Sequence, residues 1–284
     1  QYIMEISKNK QVTGKHHKPI LTYLAYKKNQ QPKPLVVFCH GYKGYKDWGA
    51  FDQMAATFVS KGVFLVKFNF SHNGGTPAQP IDFPDLEAFG QNNFTKELDD
   101  LASVLDWLLV QEPFSEEIDP QDITLIGHSR GGGIVTIKAS EDTRVTRLVT
   151  WAAVSDYGAR FPSGSPLAFW KKEGVAYIEN ARTQQKMPHY IQFYQNFIEN
   201  KDRLSIQKAA EKLCIPHLIV HGTSDATVPV LEAENLHSWS PNSELFLLPE
   251  ASHSFGAKQP WDEPVLPDAF QEVLQQTIHF IFST

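Results

Sequence analysis

The pentapeptide Gly127-His128-Ser129-Arg130-Gly131 sets a serine hydroxyl between two glycines, directly after the strand-like run 123–127 (ITLIG) and before a helix-like stretch at 132–137. A sharp strand-to-helix turn strains its central residue, and side chains at the flanking positions would clash with the turn. The hydroxyl is then presented at the carboxyl end of a sheet. The N–H groups and positive dipole end of the next helix lie beside it, where an oxyanion would be stabilised. The plain alternative is an ordinary turn with an exposed serine, and the strand before and helix after favour the nucleophile. A serine hydroxyl needs a base to take its proton, and the base needs a third group to orient it. Asp225, in 221–229 (HGTSDATVP), and His253, in 250–255 (EASHSF), each follow a strand-like run. The chain order Ser129, Asp225, His253 is the one expected of such a turn.

The elements that must hold these residues are legible as an alternation. Runs at 35–39, 64–70, 123–127, 148–154, 218–221 and 244–248 read as strands, several apolar on both faces as in a parallel sheet covered on both sides. Phe51, Met54, Ala55, Phe58 and Val59 mark a helix stopped by Gly62; Phe94, Leu98, Leu101, Leu105 and Leu108 form a second helical face. Phe270, Val273, Leu274, Thr277, Ile278 and Ile281 form a third. Strand and helix in alternation give an α/β fold with right-handed crossovers. Residues 2–6 and 23–26 add antiparallel edge strands. One segment, 155–205, breaks the alternation: it is rich in aromatic residues and lacks a clear strand, so a mostly helical insertion is expected, since a structureless loop of that length is uncommon in a compact domain.

Composition bounds the function. In 284 residues, 26 Lys and Arg face 32 Asp and Glu, a net charge of −6, with no basic stripe, so nucleic acid is not an expected partner. No apolar run approaches the roughly 20 residues that span a bilayer. The two cysteines sit in no redox or zinc spacing. His237 and His279 fall in predicted helices. His217 and His221 share a strand face without a third ligand, so neither a metal nor a cofactor is expected. The chain begins at Gln1, consistent with a processed or trimmed N-terminus, and a cytoplasmic setting is the default expectation.

From about residue 35 onward the sequence resembles the α/β-hydrolase superfamily, on four landmarks in order: His40-Gly41 after a strand, the Ser129 turn, the Asp225 loop and the His253 loop. The stretches HGYKGYKDWG, GHSRGG and HGTSDATVP most resemble its dienelactone-hydrolase-like, cinnamoyl (feruloyl) esterase and acylaminoacyl-peptidase-like branch. The resemblance implies a mostly parallel sheet of the eight-stranded type with helices on both faces. It implies an oxyanion hole from the backbone N–H groups of Tyr42 and Arg130, and a structural His40. It favours Asp225 over Asp156 as the acid, because Asp225 sits in the family's Gly-x-x-Asp-x-x-Val-Pro context. The strand order it implies puts two strands between Cys39 and Cys214, about 14 Å at ~4.8 Å per strand, too far for a disulfide.

The fold's cap would correspond to 155–205, dividing the chain into a core at 1–154, a small helical cap and a second core part at 206–284. Its aromatic residues predict an apolar or aromatic acyl site, with Phe161, Trp170 and Tyr190 as candidate lining residues; the alternative is that they only fasten the cap. The expected activity is a serine esterase acting on small to medium carboxylic esters through an acyl-serine. An acylaminoacyl-type peptidase or amidase, a thioesterase, or a silent hydrolase fold used for binding are the alternatives.

Overall fold

The computed structural model describes residues 3–111 and 113–284; Tyr2, at the start of the first expected edge strand, lies outside them. The chain runs β1 (Ile3–Val12), β2 (Ile20–Lys28), β3 (Lys33–Cys39), α1 (Phe51–Ser60), β4 (Phe64–Phe68), α2 (Leu86–Gln91), α3 (Phe94–Leu109), β5 (Ile118–His128), α4 (Arg130–Glu141) and β6 (Arg147–Trp151). It continues with α5 (Gly164–Glu173), β7 (Val175–Asn180), β8 (Gln185–Tyr190), α6 (Gln192–Glu199), α7 (Ile206–Lys212), β9 (His217–Gly222), α8 (Leu231–Trp239), β10 (Ser243–Leu248) and α9 (Asp268–Ser283). The main sheet has eight strands in the order β1-β2-β4-β3-β5-β6-β9-β10. Its β1–β2 and β2–β4 pairs are antiparallel and the rest are parallel. This is the α/β-hydrolase fold.

Alternation along one strand explains the two layers. Leu35, Val37 and Cys39 of β3 pack with the buried faces of α3 and α4, whereas Val36 and Phe38 pack with those of α1 and α9. The sheet is therefore buried on both sides, and its strands read as continuous apolar runs. The α3 helix starts where Asn93 accepts the Lys96 N–H on its side chain, and Gly62, at φ +91°, follows the end of α1.

Three expectations need correction. The strand read as 64–70 ends at Phe68, because Asn69 is drawn into side-chain bonds, accepting the Lys46 N–H and donating to the Pro80 carbonyl. The run read as 148–154 leaves the sheet after Trp151, where Ala152 takes φ +50°. Segment 155–205 is only partly helical. Between α5 and α6 it carries the antiparallel hairpin β7–β8, entered through Gly174 in the left-handed region at φ +77°. Pro188 within β8 and the weak alternation of both strands hid this hairpin from a pattern reading. Two strands, β5 and β6, do separate Cys39 from Cys214, and both thiols are free, Cys39 buried and Cys214 exposed.

Candidate active site

Ser129 stands between β5 and α4 with φ +56° and ψ −120°, a conformation that a residue with a side chain adopts only under constraint. The constraint is visible. The Ser129 N–H donates to the Trp151 carbonyl at 2.9 Å, and its own carbonyl accepts from Gly132 and Val154. A Cβ on Gly127 would stand 2.2 Å from the Gly131 oxygen, and one on Gly131 would stand 2.4 Å from the His40 oxygen. The flanking glycines are thus required by the first turn of α4 pressing on the ends of β5 and β3. Gly41 backs onto the same turn, its absent Cβ lying 3.1 Å from Ser129 Cβ and 3.5 Å from the Arg130 nitrogen. Among the described residues, no acceptor takes the backbone N–H of Tyr42 or of Arg130.

His40, at the end of β3, holds this loop. Its Nδ1–H donates to the Gly41 carbonyl at 2.8 Å, and its Nε2 accepts the Phe70 N–H at 3.2 Å. Burial lowers its pKa to about 4, so it is neutral near pH 7.

Asp225 follows β9, and His253 follows β10. The His253 Nδ1–H donates to Asp225 Oδ2 at 2.8 Å, which leaves Nε2 as the free ring nitrogen. Asp225 Oδ1 accepts the N–H groups of Thr227 and Val228, both at 2.8 Å. His221 Nε2 lies 3.3 Å from Asp225 Oδ2 and donates to the Val228 carbonyl at 2.8 Å. Burial alone would raise the Asp225 pKa, but the bonds from His221, His253 and Val228 override it and hold the carboxyl well below its usual range. A carboxylate so anchored orients an imidazole without taking its proton. Asp156, the rival acid, is exposed and, among the described residues, accepts only the local Ala159 N–H.

His128, the second residue of the pentapeptide, does a job that the sequence reading missed. Its Nε2–H donates to the His253 carbonyl at 3.0 Å, and the two rings lie 4.8 Å apart. Burial lowers its pKa to about 3, helped by the neighbouring His253, so it stays a neutral prop under the His253 loop. Among the described residues no hydrogen bond joins Ser129 Oγ to His253. Such bonds are often long in unliganded sites and tighten when substrate arrives.

Beside the Gly41 loop lies a narrow cavity of about 20 Å³, walled by Tyr42, Phe89, His189 and Phe193, with Asn92, Glu97 and Arg130 also in its lining. Tyr42 Oη lies 2.6 Å from His189 Nε2, a bridge from the Gly41 loop to β8. The Arg130 guanidinium lies 4.5 Å from the Phe94 ring, 4.9 Å from Phe193 and 5.7 Å from Tyr42, a cation–π setting. Its Nε is 3.3 Å from Glu97 Oε1, and burial raises the Glu97 pKa against the opposing pull of Arg130.

Phe161, Trp170 and Tyr190, the expected lining residues, are not in this lining. Phe161 packs among Phe94, Trp170, Phe193, Tyr194 and Phe197; Trp170 donates its indole N–H to the His189 carbonyl; Tyr190 donates to Glu87. They fasten segment 155–205 together and to the core. His189, Phe89 and Phe193 line this cavity, and nothing in their spacing distinguished them from other aromatic residues.

The family model for the alpha/beta hydrolase family matches residues 36–264. The chain belongs to that family. Among curated relatives, this hydrolase is 22% identical to the mouse monoacylglycerol lipase ABHD6 over 88% of its own length and 79% of the relative's. It is 23% identical to the quorum-quenching protein AidA of Acinetobacter baumannii, over 54% of its own length. That match spans only 46% of AidA. Among solved structures it resembles Est1E from Butyrivibrio proteoclasticus with ferulic acid bound, at 18% identity and a TM-score of 0.71, covering 97% of this chain and all of that one. No helix among the described residues is long and apolar enough to cross a membrane.

Proposed function

We propose that this hydrolase is a serine esterase cleaving carboxylic esters of small to medium acyl groups, with Ser129 as nucleophile, His253 as general base and Asp225 as its orienting acid. The observation that carries the reading is the 2.8 Å bond from His253 Nδ1–H to a buried Asp225 carboxylate, on loops neighbouring a serine held at φ +56°. Ser129 Oγ attacks the ester carbonyl while His253 Nε2 takes its proton. The tetrahedral oxyanion lies against the free N–H groups of Tyr42 and Arg130, at the positive end of α4. His253 then protonates the departing alcohol, and a water activated by the same nitrogen hydrolyses the acyl-serine.

Segment 155–205 acts as a lid in this reading. It covers the Gly41 side of the site through the Tyr42–His189 bridge, and the space of about 20 Å³ between Tyr42, Phe89, His189 and Phe193 widens as that bridge opens to receive the acyl group. The names of a lipase and of a protein that binds ferulic acid, among its likenesses, support an ester of a carboxylic acid as the substrate class. Turnover of 4-nitrophenyl acetate, butyrate and octanoate by the wild type and by Ser129→Ala tests this. Hydrolysis of at least one ester, lost in the variant, is expected; a folded wild type inert toward all three, and unlabelled by a fluorophosphonate, contradicts it.

A further inference from the structure

The total charge of −6, read above as lacking a basic stripe, conceals an uneven spread. Residues 1–34 carry seven Lys and one carboxylate, Glu5, which leaves 19 Lys and Arg against 31 Asp and Glu in the rest of the chain. In the folded molecule this excess lies on the β1–β2 hairpin, at one end of the main sheet. Two of the seven are neutralised where they stand: Lys33 pairs with Glu117, and Lys18 with Asp85 at 2.9 Å. Lys8, Lys10 and Lys28 are exposed and, among the described residues, make no ion pair. Lys15, with its side chain 68% exposed, lies 4.0 Å from Asp99.

The same hairpin is apolar where burial does not require it. Of the ten residues of β1 only Val12 is buried, yet Ile3, Met4 and Ile6 stand 66%, 41% and 51% exposed. The strand pairs with β2 along one edge, and its other edge is open. The register sets Ile3 opposite Lys28. Cationic and apolar side chains are therefore displayed together along one open edge.

That combination selects among occupants. A second copy would bring like charges together, and lysine on an edge strand opposes such pairing. A nucleic acid would answer the charge but not the apolar residues, and β1 offers no aromatic ring on which a base could stack. An anionic lipid surface answers both. Its headgroups attract the ammonium groups, their aliphatic stems lie along the interface, and the apolar side chains enter it.

We propose that the open edge of the β1–β2 hairpin is a docking surface for an anionic lipid bilayer, held by Lys8, Lys10, Lys15 and Lys28 and by the side chains of Ile3, Met4 and Ile6. The proposal does not depend on the esterase reading, since it involves none of the residues of the candidate active site.

The test is co-sedimentation of the whole chain with phosphatidylcholine vesicles, with and without about 30% phosphatidylserine. Partitioning is expected to be at least about tenfold stronger onto the anionic vesicles and to fall at least about tenfold in about 0.5 M KCl. Replacing Lys8, Lys10, Lys15 and Lys28 together by Gln is expected to lower partitioning at least about tenfold, and Met4→Ser with Ile6→Ser at least about threefold. Melting temperatures and circular dichroism report that both variants are folded. No binding, equal binding to both vesicle types, or binding undiminished in either folded variant overturns the proposal and leaves the lysines as guards of an edge strand. Tighter binding to a poly(dT) strand than to the vesicles, or a dimer that the Met4 and Ile6 replacements dissociate, overturns it in favour of those partners.

Discussion

A Cβ added to Gly127 at the end of β5 would meet a backbone oxygen at 2.2 Å, whereas one added to Gly164 or Gly174 in segment 155–205 would meet nothing within 4 Å. The two regions that frame the cleft are thus built by different means. The nucleophile turn is fixed by backbone against backbone, with no space for adjustment. The proposed lid is held by side chains: the Tyr42–His189 bridge, the Trp170 indole bond, ring contacts around Phe161, and amide bonds such as Gln192 to the Asn92 carbonyl and Asn196 to Thr95. Contacts of the first kind place a reacting atom and tolerate almost no substitution. Contacts of the second kind can be broken and remade as a substrate enters, and can vary to suit it.

The largest effects should come from the rigid side. Ser129→Ala and His253→Ala are expected to lower kcat by roughly 10⁴-fold or more, and Asp225→Asn by about 10⁴-fold because the imidazole would lose its orienting acceptor. Stopped-flow hydrolysis checks this, with circular dichroism showing the folds intact; a loss under tenfold at Asp225 would shift the acid's role elsewhere. Next comes the glycine contrast. Gly127→Ala should abolish soluble expression or lower the melting temperature by more than 10 °C, since only backbone could yield. Gly174→Ala, strained by its φ of +77° but unobstructed, should cost about 1 kcal/mol, a shift of about 2–4 °C. Equal shifts in the two variants would erase the distinction between the regions.

The pH dependence of stability separates them less sharply. Burial lowers the pKa of His40, His72 and His189 to about 4, and of His128 and His217 to about 3, from 6.5. Each is protonated more readily in the unfolded chain, so the stability it contributes is present above about pH 6.5 and is lost as the pH falls toward 3 or 4. Asp100 works in the opposite sense. Burial raises its pKa from 3.8 to about 7, so its contribution favours the fold at low pH and fades as the pH rises through that range. Five imidazoles against two carboxyls, Asp100 and the likewise raised Glu97, predict a melting temperature that falls from pH 6.5 to pH 4 in a calorimetric series, and a flat or rising profile would contradict this. The smallest effect is expected at the lid. Tyr42→Phe, which removes the bridge to His189, should change KM severalfold and kcat by less than about threefold, since the backbone N–H of Tyr42 remains.

The same division explains what the sequence made legible. The strands of the parallel sheet, the three amphipathic helices and the order of Ser129, Asp225 and His253 follow from period, turn chemistry and spacing, because backbone constraints of this kind leave specific residues behind: two glycines around a serine, an aspartate before Val-Pro. The hairpin β7–β8 left no such mark, carrying a proline and few alternating positions. Nor could the roles within the aromatic segment be assigned. Phe161 and Phe193 are the same residue type, yet one packs inside the segment and the other against Arg130, a difference fixed only by tertiary packing. His128 and His221, which brace His253 and Asp225, were visible as residues but not as braces, since each acts through a carbonyl or carboxylate brought near by the fold.

The central claim, that Ser129 carries the acyl group in turnover, is tested most directly by acid-quenching the enzyme within milliseconds of mixing with a 4-nitrophenyl ester and mapping the adduct by peptide mass spectrometry. The account predicts a burst of nitrophenolate close to one per active site and the acyl mass on the peptide containing Ser129, with neither in Ser129→Ala. Turnover without an adduct, or an adduct on any other residue that persists in Ser129→Ala, would contradict it.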